Sequence, residues 1–125
     1  MSDPLQEALR VLEDYLAALN RGDEKGTNDA CNFPHVRLAA GKVTVWPDHG
    51  DYRLEDFRAR AGDGWHHSTW DERTPIHVGE NKVHLKVKFS RWRRDGSLIG
   101  TFETIYIVTR QDGHWGIQAR SSFAS

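Results

Sequence analysis

Val83-His84-Leu85-Lys86-Val87-Lys88-Phe89-Ser90 alternates apolar and polar residues without a break. A period of two puts Val83, Leu85, Val87 and Phe89 on one face and the polar residues on the other. That is the signature of a half-buried strand in an antiparallel sheet. Downstream, Asp95-Gly96 signals a hairpin. Phe102, Thr104, Tyr106 and Val108 then share one face of a second strand, with Ile105 and Ile107 on the other. Asp112-Gly113 turns the chain again, and Trp115, Ile117, Ala119, Ser121 and Phe123 face one way to its end. Upstream, His66 to Val78 reads as a strand interrupted near Pro75, which belongs at an edge or bulge.

The first half of the chain changes period. Asp3 is a good N-cap and Pro4 suits the first helical position, where a missing N–H costs nothing. Leu5, Leu9, Leu12, Leu16 and Leu19 then fall at steps of four and three, one helical stripe that Gly22 ends. A weaker helix is expected from Asp23 to about Cys31. Val36 to Ala39 and Val43 to Trp46 read as short strands around Ala40-Gly41, and Asp51 is expected to cap a third helix carrying Leu54, Phe57 and Ala61. Helices followed by a long antiparallel meander give an α+β architecture in a single domain, 1–125. A curved sheet over the first helix leaves a pocket at its open end, a usual place for a small ligand.

Composition removes several function classes. The chain has 17 Lys+Arg against 18 Asp+Glu, a formal net charge of −1, so no strongly basic surface serves nucleic acid or an anionic membrane. No apolar run approaches the ~18 residues of a membrane span. Met1 to Arg10 is acidic and polar, and Cys31 is the only cysteine. Both features give a cytoplasmic expectation. There is no G-x-x-x-x-G-K, G-x-G-x-x-G, H-E-x-x-H or cysteine pair, so no metal and no cofactor is expected. Ile105 and Ile107, on a strand whose other face is also apolar, imply that the outer sheet face is covered, most simply by a second copy in a homodimer.

Tyr15-Leu16-Ala17-Ala18-Leu19-Asn20-Arg21-Gly22-Asp23 resembles the end of the first helix in the NTF2-like superfamily, and Asp112-Gly113-His114-Trp115-Gly116-Ile117 resembles its final turn and strand. That superfamily includes ketosteroid isomerases, scytalone dehydratase and SnoaL-like polyketide cyclases. The resemblance implies a cone, with about three N-terminal helices packed on a strongly curved, mainly antiparallel sheet, usually dimeric. Against the isomerases, Tyr15 matches an oxyanion hydrogen-bond donor and Tyr106 falls near the second donor. Ala39 stands where their general base would be, and alanine cannot take a proton. Function does not follow from the fold, which hosts enzymes and binding modules alike.

His35 and Arg37 share parity with Ala39, so both are expected to face the pocket. The imidazole is the candidate base, with an ordinary pKa near ~6.5. Arg37 is a candidate anion clamp. The catalytic set is therefore His35, Tyr15 and Tyr106, for isomerase, dehydratase or cyclase chemistry. Trp46 and Trp70 are candidate stacking surfaces for a flat ligand, Asp71 a candidate carboxylate, and Phe102 and Phe123 candidate lining. The competing expectation is a non-catalytic module that senses a ligand or docks a protein on its outer sheet.

Overall fold

The computed structural model describes residues 3–124. The expected stripe forms α1, Pro4–Asn20, and a carboxylate oxygen of Asp3 accepts the Leu5 N–H at 2.9 Å. Gly22, at φ +72°, lets the chain leave the helix. Asp23 caps α2, Glu24–Asp29, by accepting from the Gly26 N–H. The strands are β1 Cys31–Ala39, β2 Lys42–Trp46, β3 Trp65–Val78, β4 Lys82–Arg93, β5 Leu98–Gln111 and β6 His114–Ser122, with α3, Leu54–Arg60, between β2 and β3. They form one sheet in the order β2-β1-β6-β5-β4-β3. Every pairing is antiparallel except β1 with β6.

This is the α+β cone the resemblance implies. The apolar stripe of α1, with Val11, Leu12 and Leu19, packs against Val83, Leu85, Val87, Val108 and Ile117 on the inner sheet face. Each such side chain contributes about 1.5–3 kcal/mol on full burial, which fixes the helix across the sheet. β3 is an edge strand, and Pro75 lies within it at a register irregularity. Its missing N–H costs no ladder bond there.

Three local expectations differ. β1 begins at Cys31 rather than Val36 and runs through a cis Phe33–Pro34 bond, with an irregular β1–β6 register between Cys31 and Val36. Asp51 does not cap α3. Its carboxylate accepts from the Asp48 N–H, and the Leu54 N–H is taken by Glu24 of α2 at 2.9 Å. In β6 the alternation breaks at Gln118. Val108 pairs with Ile117 but Ile107 with Ala119, so one residue is extra. The bulge reverses parity beyond it: Arg120 turns inward, Ala119 and Ser121 turn outward, and Phe123 stands 86% exposed rather than lining the interior.

Candidate functional site

The interior end of the cone is built by alternation on β1. His35, Arg37 and Ala39 are buried, while Val36 and Leu38 face outward. Arg37 lies in direct register with Arg120 of β6, which is in register with Tyr106 of β5. From the opposite side, α1 contributes Tyr15 and the end of α3 contributes Arg60. Arg37, Arg120, Tyr106, Tyr15 and Arg60, with Arg91 of β4, Phe57 and Trp70, line a cavity whose free volume is about 20 Å³. That is room for roughly one water. Among the described residues, no Asp, Glu or His lines it.

Tyr52 sits immediately behind this wall, held by α2. Asn28 donates to the Tyr52 carbonyl at 2.9 Å, and its own carbonyl accepts from the Gly50 and Tyr52 N–H groups at 2.9 and 3.3 Å. The loop is pinned so that the Tyr52 hydroxyl meets three partners. Arg60 and Arg120 each donate to it through Nη2 at 2.9 Å, and the Tyr15 hydroxyl lies 3.0 Å away. Arg120 completes its fork by donating from Nη1 to the Tyr15 oxygen at 2.8 Å.

Counting protons fixes the direction of this network. A phenol offers one proton and two acceptor positions. Both acceptor positions of Tyr52 are taken by guanidinium groups, so the neutral Tyr52 donates to Tyr15. Tyr15 then accepts from Tyr52 and Arg120, and its own proton meets no acceptor among the described residues. That O–H is available to the cavity Tyr15 lines.

Burial alone would raise the Tyr52 phenol, but the charges and hydrogen bonds of Arg120 and Arg60 prevail and lower it to about 8. Tyr15 and Tyr106 are pushed above the usual phenol range, burial outweighing the Arg120 charge. All three tyrosines of the chain thus stand at this site with different acidities.

His35 is fully buried. Its Nδ1 lies 2.9 Å from the Ile117 carbonyl, which fixes that nitrogen as the donor, and Nε2 has no partner among the described residues. Burial first, and then the Arg120 charge, lowers its pKa to about 3. The imidazole is therefore neutral at physiological pH, and it packs on the Tyr52 and Trp46 rings outside the cavity lining. The base role expected for His35 is revised on this ground. A group that binds a proton only near pH 3 is too weak to abstract one at neutrality.

Of the other expected residues, Tyr15, Tyr106, Arg37 and Trp70 come together on one cavity. Trp46 backs it, with its ring 5.0 Å from that of Tyr52. Phe102 lies behind the lining, 5.6 Å from the Phe89 ring and 5.2 Å from the Arg91 guanidinium. Asp71 is exposed and accepts from the Ser90 hydroxyl, so it and Phe123 fall outside the site. Arg60, Arg91, Arg120 and Tyr52 were not anticipated. Only Arg91 had a legible signal, since it shares strand parity with Val83 to Phe89.

The sequence matches the family model described as NTF2-like protein (DUF6841) over residues 6–122, and the chain belongs to that family. No curated protein matches it. Among solved structures, an NTF2-like protein of unknown function from Shewanella oneidensis is 17% identical, with a TM-score of 0.70 over 96% of this chain and 98% of its own. An NTF2-like protein with a cystatin-like fold from Novosphingobium aromaticivorans is 12% identical, with a TM-score of 0.77 over 97% of this chain and 81% of its own. A protein from Catenulispora acidiphila in complex with S-DNPA is 14% identical, with a TM-score of 0.74 over 96% and 92%. At these identities the likeness establishes the fold.

Proposed function

We propose that this NTF2-like chain, as one domain, binds a compact small molecule in the cone cavity and hydrogen-bonds an oxygen of that molecule through Tyr15. The observation that carries the reading is the proton count. Two guanidinium donors saturate Tyr52, Tyr52 donates to Tyr15, and the Tyr15 O–H is left for a ligand. A donor held in this way, beside the positive charge of Arg120, stabilises negative charge developing on a ligand oxygen. The chemistry it suits is of isomerase, dehydratase or cyclase type, with Tyr106 on the same wall. A solved relative in complex with a small molecule is in keeping with ligand binding.

The test uses acetophenone and ethylbenzene, which differ in a carbonyl acceptor. Calorimetry should show acetophenone binding about fivefold more tightly, with the difference erased in Tyr15→Phe. Equal affinity for the two in the unaltered protein overturns the reading. A non-catalytic ligand sensor is the second reading, favoured by a lining without carboxylate or imidazole among the described residues.

The homodimer belongs to the same proposal. Strand registers align Val43, Leu38, Ser121 and Ile105 in one row across four strands, and Val45, Val36, Ala119 and Ile107 in the next. Val43, Val45, Leu38 and Ile105 are exposed. A second copy on this face would bury both rows. Sedimentation of a monomer at micromolar concentration would overturn it. A free, buried Cys31 thiol suits a reducing compartment, which keeps the cytoplasm as the proposed location. No helix among the described residues is long and apolar enough to cross a membrane.

A further inference from the structure

We infer that the molecule bound in the cone carries an anionic oxygen group, a carboxylate or phosphate, on a compact apolar body, and that Arg37, Arg60 and Arg120 receive that group. This rests on the proposal that the cavity binds a small molecule, and it names the class.

The positive charge of Arg37, Arg60 and Arg120 is concentrated here and has no negative counterpart among the described residues. Arg37 and Arg120 are 7% and 6% exposed, and they stand directly opposite each other across β1 and β6. Like charges in that arrangement destabilise a sheet. Arg60 reaches the same cavity from α3. None of the three forms an ion pair with a described carboxylate. Their acceptors are neutral: the Ala124 carbonyl for Arg37 at 3.0 Å, and the phenol oxygens of Tyr52 and Tyr15 for the other two. The buried Nε–H groups of Arg60 and Arg120 have no acceptor among the described residues.

Burying a cation is costly unless it is paired, and removal of a partner from a buried pair leaves an expensive charge behind. Arg37 and Arg120 carry that cost, and Arg60 adds a further like charge beside them. Burial and the neighbouring Arg60 and Arg120 charges pull the Arg37 guanidinium down to about 10. An oxyanion delivered by a ligand offsets the repulsion among all three at once. Arg120 already commits Nη1 and Nη2 to the Tyr15 and Tyr52 oxygens, so its charge and its Nε–H are what it has left for an anion. The Tyr15 proton adds a further donor. Leu16, Phe57, Trp70 and Phe89 complete the wall, and they suit an apolar, flat body attached to the charged group. The free volume is small, so binding must displace side chains, and Arg60, only half-buried at the end of α3, is placed to move.

Calorimetry on the full chain with benzoate, its neutral isostere benzamide and inorganic phosphate tests the inference. Benzoate should bind about tenfold or more tightly than benzamide. That preference should shrink in Arg37→Gln and, independently, in Arg60→Gln, the loss falling more heavily on benzoate than on benzamide. Two variants guard against one failing to fold. If benzoate prefers the protein and phosphate also binds, the anionic group alone suffices, and if phosphate is silent the apolar body is required. Either outcome supports the inference. Equal binding of benzoate and benzamide overturns the anion while leaving small-molecule binding intact. Silence from all three probes overturns both.

Discussion

Arg37 and Leu38 are neighbours on β1, and they invert the usual division of a strand. The arginine is 7% exposed inside the cone and the leucine 47% exposed outside it. The inversion continues across the sheet. Inside, Arg37 aligns through Arg120 with Tyr106; outside, Leu38 aligns through Ser121 with Ile105, which is 44% exposed. In the first half of β4 the ordinary rule holds, with Val83, Leu85 and Val87 buried and Lys86 exposed. That stretch is arranged for stability. The β1–β6 region spends stability on charge inside and apolar surface outside, the pattern expected of a site and an interface.

The comparison is broken most forcefully at Tyr52. Tyr52→Phe removes the shared acceptor of Arg60 and Arg120 and leaves one Nη2 group of each, in a half-buried and a buried guanidinium, without its bond. A loss of about 3 kcal/mol in urea unfolding is expected. An unchanged midpoint would mean that the network contributes nothing to the fold. A smaller effect, of the opposite sign, is expected beside it. Arg37→Leu removes a like-charge pair for the loss of one bond to a carbonyl, and should leave stability unchanged or raise it by about 1 kcal/mol. A substantial loss would show that Arg37 is structural rather than held for a ligand.

The smallest effect is spectroscopic. One tyrosine should ionise near pH 8 in the near-ultraviolet phenolate absorbance, and Tyr52→Phe should abolish that step. The sign for stability follows. A phenol lowered from its ordinary 10 to about 8 adds stability as pH rises through that window and loses it as pH falls back through 8. Ligand binding runs the other way. Once Tyr52 is a phenolate, Tyr15 donates to it and the cavity loses its donor, so acetophenone affinity should decline above pH 8. A flat profile would sink the proton count.

Much of this was legible because periodicity is local. The α1 stripe, the β4 alternation and the inward parity of His35 and Arg37 each depend on a few consecutive residues. The site was harder to read, for reasons with particular causes. One extra residue at Gln118 reversed the parity of β6, hid Arg120 and exposed Phe123. Tyr52 lies in a loop with no period, placed by Asn28 from another element. His35 pointed the expected way, yet its basicity was removed by burial and by Arg120, which only the β1–β6 pairing brings near.

The sequence by itself determined the helices, the strands and the cone, because apolar spacing selects a local geometry and the order of elements leaves few ways to bury their faces. Tertiary structure alone decided which charges meet. Arg37, Arg60 and Arg120 come from distant parts of the chain, and their electrostatics arise from distances and burial that no linear spacing contains.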